Sequence, residues 1–307
     1  MKKVIITGAT GMIGIALMEI LIKRDIEVIS IVRPDSAKIK NIPKSDKIEV
    51  IECEISNLLS LSSIISKDCD AFFHFGWAGT LGVDRNDTYL QYSNIQYTLD
   101  AVKLASEKNC KVFVGAGSQA EYGKTEEKMS CNTSINPESA YGVSKYAAGM
   151  LSKILCDELN IRHVWGRILS VYGPGDNDST LVMSCINSFI KNEKLSTTKG
   201  DQLWDYIYSE DCANAFFLMA KNGQHGEIYC VGSGKAIPLK EYMIEIRDII
   251  NPSCPIGLGE IEYAPNQVMN LCADISKLSE HTGFETQVSF KEGIKKTIEW
   301  VKKNKDL

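Results

Sequence analysis

An α/β fold, doubly wound around a mostly parallel sheet and carrying a smaller C-terminal lobe, is the architecture this sequence predicts. Three observations predict it. Short β-branched runs alternate with segments of helical periodicity from residue 1 to about 170, as right-handed crossovers in a parallel sheet require. The first run, Val4-Ile5-Ile6, leads into Thr7-Gly8-Ala9-Thr10-Gly11-Met12-Ile13-Gly14, a glycine turn that opens a helix. Beyond Ile168-Leu169-Ser170 the alternation gives way to irregular stretches punctuated by Gly, Pro and Asn.

The N-terminal unit reads strand, turn, helix, strand. Ile13, Leu17, Ile20 and Leu21 recur at helical spacing, and Val28-Ile29-Ser30-Ile31-Val32 suits a second buried strand. Gly8 and Gly11 let the backbone turn tightly and approach a pyrophosphate. Gly14 lets helix and strand pack closely, and the helix N-terminus adds N–H groups and a positive dipole end. In that context the turn predicts dinucleotide binding; the alternative is a glycine-rich turn without a ligand.

Asp70-Ala71-Phe72-Phe73-His74-Phe75 is a later strand, in which His74 reads as a packed histidine rather than a metal ligand. Another strand, Lys111 to Ser118, ends in small residues and puts the Ser118 hydroxyl at its C-terminal edge, where open parallel sheets bind ligands. Local backbone satisfaction is the competing role for a turn serine. Asn136 is a good N-cap and Pro137 suits a first helical position, so Tyr141 and Lys145 are expected four residues apart on one helix face. A fixed ammonium there favours the phenolate and moves the tyrosine, ordinarily near pKa 10, towards working pH. A plain surface pair has the same spacing.

Composition narrows the classes. The 307 residues are 44% hydrophobic and 24% charged, with a formal net charge of -5 and no long basic block, which argues against nucleic acid as partner. No apolar run approaches the roughly 20 residues of a membrane span, and the first strand follows Met1-Lys2-Lys3 directly, so neither membrane nor signal peptide is expected. Ten scattered cysteines without a C-x-x-C pair, and four histidines without ligand spacing, point to reduced thiols, a cytoplasmic location and no metal.

Taken together, TGATGMIG, Ser118 four residues before Tyr122-Gly123, YGVSK, Val171-Tyr172-Gly173-Pro174-Gly175, Asp205-Tyr206-Ile207-Tyr208 with Asp211, Gly232-Ser233-Gly234 and Asp274-Ile275-Ser276-Lys277 resemble the extended short-chain dehydrogenase/reductase family, often called the NAD-dependent epimerase/dehydratase family. The resemblance implies a Rossmann-type dinucleotide-binding domain of residues 1–170 plus 204–234 and a substrate-binding domain of 171–203 plus 235–307. It implies catalysis by Ser118, Tyr141 and Lys145, with hydride passing between a nicotinamide and a carbinol carbon. It places Gly8, Thr10, Gly11, Met12, Ile13, Gly14, Glu54, Ile55 and Asn94, with Tyr141 and Lys145, at the cofactor, and Ser118, Gln119, Ser170 and Trp204 at the substrate. Relatives dimerise through helices matching about 87 to 108 and 137 to 159, so a homodimer is expected; both segments could equally cover the sheet.

The end of the second strand bears on the choice of cofactor. Val32 stands where an NAD-type relative carries an aspartate, and Arg33 follows as a bidentate partner for a 2'-phosphate, which favours NADP over NAD. Arg33 stacking on adenine or facing solvent is the alternative. Within the family, dehydratases and decarboxylases carry a carboxylate, and 3,5-epimerase/reductases a cysteine, at the position held here by Ala120. What remains is hydride exchange at one carbon. NADP-dependent reduction of a 4-keto, 6-deoxy or dideoxy nucleotide sugar is therefore expected, ahead of an NAD-dependent 4-epimerase and of a non-catalytic dinucleotide sensor. Two arginines expected at the nucleotide diphosphate are missing, one replaced by Trp204 and one absent near Ala264-Pro265-Asn266-Gln267. Either other cations such as Arg167, Lys194 or Lys199 serve, or helix N-termini do, or the substrate is not a typical sugar nucleotide; Arg167 is also readable as structural.

Overall fold

The computed structural model describes residues 1–66, 68–265 and 267–304. Six strands lead the chain: β1 (Lys3–Thr7), β2 (Glu27–Val32), β3 (Ile48–Glu52), β4 (Ala71–His74), β5 (Val112–Ser118) and β6 (Arg162–Ile168). Five more follow as β7 (Ser170–Tyr172), β8 (Leu195–Thr197), β9 (Leu203–Trp204), β10 (Tyr206–Tyr208) and β11 (Glu227–Val231). The last three are β12 (Ile237–Pro238), β13 (Ile256–Leu258) and β14 (Asn270–Leu271). The helices are α1 (Met12–Ile22), α2 (Thr88–Glu107), α3 (Ala140–Glu158), α4 (Leu181–Ile190), α5 (Ser209–Asn222), α6 (Leu239–Ile250), α7 (Ser276–Thr282) and α8 (Phe290–Asn304).

The central sheet runs β3-β2-β1-β4-β5-β6-β11, and every pairing is parallel. Strand order reverses between β1 and β4, so a crevice opens at their C-terminal ends. Two-residue periodicity divides the strand side chains between two layers. Val4, Ile6, Phe73 and Val114 join a core with Leu17 of α1 and Phe216 of α5, while Ile5, Phe72 and Phe113 join another with Ala101 and Leu104 of α2. Each fully buried Leu or Phe contributes about 1.5–3 kcal/mol of transfer free energy, which accounts for the near-continuous apolar strands. A third core forms beyond the sheet from α4, α6 and α8, around Ile186, Phe189, Tyr242, Met243, Ile298 and Val301.

One local expectation is corrected. The helix bearing Tyr141 starts at Ala140, capped by the Ser139 hydroxyl accepting from the Gly142 N–H at 3.1 Å, and not at Pro137 behind Asn136. The reason is a steric contact between segments apart in sequence. Asn136 donates its N–H to the Tyr122 carbonyl, and its own carbonyl is packed against Gly123, where a Cβ would lie 2.0 Å away. The chain at 136–138 is thus held against the Tyr122-Gly123 turn and enters the helix only afterwards. Tyr141 and Lys145 keep their four-residue spacing on α3.

Candidate active site

The crevice at the β1–β4 switch holds a cavity of about 590 Å³, lined by Thr7, Gly8, Thr10 and Gly11 from the first turn and by Phe75, Gly76 and Trp77 after β4. Two glycines of the turn, Gly8 and Gly14, admit no side chain. Gly8 has φ +67° and a Cβ there would lie 2.6 Å from the Phe75 carbonyl carbon; at Gly14 it would lie 2.7 Å from the Gly8 oxygen. Gly11 is the N-cap of α1, so that helix's free N–H groups face the same turn. Volume, backbone approach and helix terminus together suit a dinucleotide.

Of the other residues expected at the cofactor, Ile55 and Arg33 line the cavity and are joined by Lys38, which the sequence reading passed over. Glu54 is exposed and absent from the lining, where its neighbour Cys53 stands instead. Met12 and Ile13 are half-buried in the first turn of α1. Asn94 is buried behind the wall: its Oδ1 accepts from the Ala78 N–H at 2.8 Å and its Nδ2 donates to the Ala78 carbonyl at 3.0 Å. It shapes the crevice without lining it.

Ser118, Tyr141 and Lys145 come together at the end of β5, all buried. The helix is brought close because Gly142 packs on the turn after β5, where a Cβ would lie 2.3 Å from the Ala120 oxygen. The Lys145 Nζ donates to the Ala116 carbonyl at 2.7 Å and lies 3.7 Å from the centre of the Trp77 ring. Burial pulls the ammonium down to about 7, with Glu121 opposing. Burial raises the Tyr141 phenol above its ordinary value, while its hydrogen bond with Ser118 and the charge of Arg85 draw it back and Glu121 pushes it further up. The cation expected to lower the phenol was Lys145. In the structure Lys145 keeps its Nζ 5.8 Å from the centre of the Tyr141 ring while bonding to Ala116, and Arg85 stands closer, at 4.1 Å.

Glu121 organises the opposite side of Ser118. Its Oε1 accepts from the Ser118 N–H (2.8 Å) and the Trp165 Nε1 (3.0 Å), and its Oε2 accepts from the Arg167 Nε at 2.6 Å. Both members of the ion pair are at most 2% exposed. Arg167 is therefore structural and unavailable to a substrate phosphate. Lys194 pairs with Glu260 at the surface, and Lys199 is exposed.

The wall opposite α3 was largely missed by sequence reading. Buried Gln91 accepts from Trp77 Nε1 at 2.9 Å and donates to the carbonyls of Gly79 (2.6 Å) and Asp84 (2.9 Å), which fixes the loop after β4. From that loop the Arg85 guanidinium centre stands 4.1 Å above the Tyr141 ring. A polar Gln-x-x-Asn on the buried face of α2, before its apolar second half, was the available signal.

On the expected substrate side, Gln119 is half-buried in the turn that follows Ser118. Trp204, half-buried on β9, donates its Nε1 to the Ser170 hydroxyl at 3.0 Å, so these two expected substrate residues satisfy one another. Asn266 lies outside the described residues. His74 is the packed histidine expected: Thr7 and Thr98 hydroxyls sit 2.9 and 3.3 Å from its nitrogens, and burial, with Lys145 adding, pushes it down to about 3. All ten cysteines are free. Among the described residues no His/Cys/Asp/Glu cluster could hold a metal, and no helix is long and apolar enough to cross a membrane.

Comparison with known proteins fits this geometry. The chain is 26% identical to an uncharacterized UDP-glucose epimerase of Bacillus subtilis, over 97% of this chain and 98% of that one. It is 24% identical to a dTDP-4-dehydro-6-deoxyglucose reductase of Escherichia coli, over 97% of each. Among solved structures, a UDP-N-acetylglucosamine 4-epimerase from Methanobrevibacter ruminantium, in complex with UDP-N-acetylmuramic acid, superposes with a TM-score of 0.90 at 22% identity, covering 98% of both chains. A family model matches residues 4–232, and with it the glycine cradle, the Ser118 strand and the Tyr141–Lys145 helix are accounted for: the chain belongs to the NAD-dependent epimerase/dehydratase family.

Proposed function

We propose that the protein is an NADP-dependent reductase of a 4-keto nucleotide sugar of the 6-deoxy or dideoxy class. The observation that carries the choice of reductase is the lining of the cavity at the end of β2: Val32 is followed by Arg33, and Lys38 stands with it. Two cations in that lining suit a 2'-phosphate, while the nearby Glu52 carboxylate accepts from the Asp35 N–H at 3.2 Å, and an exchangeable NADPH suits net reduction. Asp84, the acidic residue among the described lining, belongs to the loop after β4. When bound, the nicotinamide supplies the hydride.

The chain's own part is proton delivery and orientation. Tyr141 gives its phenolic proton to the keto oxygen, Ser118 holds that oxygen, and Lys145 serves the nicotinamide ribose. Gly8, Thr10, Gly11, Met12, Ile13 and Gly14 hold the dinucleotide, with Ile55 beside it, Asn94 behind the wall and Glu54 at the outer edge. Gln119, Ser170 and Trp204 face the sugar nucleotide. Residues 1–170 with 204–234 form the dinucleotide-binding part in this reading, and 171–203 with 235–307 the substrate part. Ala120, apolar and buried, offers no accessory acid or base for dehydration or 3,5-epimerisation. The second reading, an NAD-dependent 4-epimerase, is supported by the activity named for the Bacillus subtilis relative.

The test is a panel of UDP-, CDP-, GDP- and dTDP-linked 4-keto-6-deoxy sugars offered with NADPH or NADH. Stoichiometric loss of nicotinamide absorbance with NADPH, and at least about 100-fold slower turnover in Tyr141→Phe with cofactor affinity retained, is expected. Interconversion of equal-mass sugars without added reductant makes the epimerase the function, and near wild-type turnover in Tyr141→Phe removes the tyrosine from it.

We also propose a homodimer built on α2 and α3. Tyr89 and Tyr92 are 85% and 69% exposed on α2, and Met150, Leu151 and Ile154 add apolar surface on α3. Light scattering at micromolar concentration should report twice the 34.0 kDa chain mass, and Ile154→Glu should shift it to the monomer; a monomeric wild type ends this proposal.

A further inference from the structure

Four elements besides α3 face the Tyr141 ring with polar, charged or aromatic groups. Ser118 comes from β5, Glu121 from the turn after it, Trp77 edge-on from the loop after β4 with its ring centre 6.0 Å away, and Arg85 from the turn Gly82–Asn86. Lys145 lies one turn along α3, its Nζ 5.8 Å from the ring centre. The two cations differ in what else holds them. Lys145 gives a hydrogen bond to the Ala116 carbonyl and sits on the Trp77 face, while Arg85 stands 4.1 Å over the phenol ring itself.

Arg85 is held there from both sides. Its Nη1 donates to the Thr80 carbonyl at 3.0 Å, and Gln91 ties down the Asp84 carbonyl immediately before it. On its other side the Asn86 Oδ1 accepts from the Ala140 N–H at 3.2 Å, joining the turn to the residue before Tyr141. A guanidinium keeps its charge at any working pH, whereas burial pulls the Lys145 ammonium down to about 7, with Glu121 opposing. A cation over an aromatic face is attracted to the ring's electron density, and the attraction grows when that ring becomes an anion.

We propose that Arg85 is a positioning residue that stabilises the phenolate of Tyr141 through the face of its ring, as a second cation beside Lys145. The inference rests on Tyr141 being the proton donor of the proposed reduction. Its direct consequence needs no substrate: removing the Arg85 charge makes the phenol harder to ionise. In turnover, reduction needs the phenol protonated, so the basic limb of its pH profile moves to higher pH; the reverse oxidation needs the phenolate, and its rising limb moves the same way.

The experiment labels the protein with fluorotyrosine, whose phenol titrates below that of tyrosine, and follows the fluorine resonance that disappears in Tyr141→Phe. Arg85→Met should move its titration upward by about 0.5–1.5 pH units, and Arg85→Lys should restore part of the shift. Arg85→Gln carries the same measurement if the methionine variant does not fold. An unmoved or lowered titration, or none in either protein, overturns the proposal. So does a raised substrate KM with the titration unmoved, which would make Arg85 a substrate contact. Inactive Tyr141→Phe beside an unmoved Arg85→Met titration removes the Arg85 role alone. Active Tyr141→Phe removes the proton donor and this role with it.

Discussion

Arg167 and Lys145 are both buried cations attached to the end of β5, and the fold treats them in opposite ways. Arg167 reaches the strand through Glu121, whose other oxygen takes the Ser118 N–H, so a full negative charge answers the guanidinium. Burial works against the Arg167 charge, but Glu121 and Tyr122 outweigh it and raise the group. Lys145 meets a neutral carbonyl and an indole face, and burial prevails. The comparison separates an anchor from a poised group: a cation paired directly with a carboxylate fixes geometry, while one that touches only a neutral carbonyl and an indole sits where a small change of surroundings alters its protonation.

The largest effect expected from breaking that contrast is on the anchored side. Arg167→Met leaves the Glu121 carboxylate buried without its charge partner and should cost about 3–5 kcal/mol of stability. Adding Glu121→Gln should recover much of it, because the amide oxygen still accepts from Ser118 or Trp165 and no charge remains buried. Urea denaturation of the two proteins checks this. A loss under about 1 kcal/mol in Arg167→Met would mean that the pair does not anchor β5.

The same contrast marks where the sequence was legible. Glycine turn, strand edge and helical spacing are local signals, so Gly8, Gly11, Gly14, Ser118, Tyr141 and Lys145 could be read directly and the structure brings the last three together. Pairings distant in sequence left no such trace. Glu121 with Arg167, 46 residues apart, and Arg85 with Tyr141 depend on the packing of separate elements. Asn136 misled as an N-cap because its carbonyl is committed to the Gly123 turn, a tertiary contact that overrides local capping preference. The irregular chain after Ser170 gave weak periodicity because its strands are two or three residues long until β11, too short to show alternation.

The smaller, sharper effect lies on the poised side and is read from pH. Lys145 titrates at about 7 in the fold, against roughly 10.4 for a free lysine, so between those values the unfolded chain binds a proton that the folded chain does not. Lysine therefore penalises folding fully below about pH 7, and the penalty fades as pH rises through the window by at most about 1.4 kcal/mol per pH unit. Buried thiols such as Cys110 and Cys212 oppose this in the wild type, since burial raises them and the unfolded chain alone loses those protons as pH climbs. The clean measurement is the stability difference between Lys145→Met and wild type, in which the thiols cancel. The variant's advantage should be constant below pH 7 and shrink steadily between pH 7 and 10. His74 and His163, held down to about 3 by burial, contribute only below about pH 6.5 and leave this window untouched. A difference that stays flat from pH 7 to 10 would show that Lys145 is charged throughout, and its carbonyl and indole contacts would then be those of a second anchor.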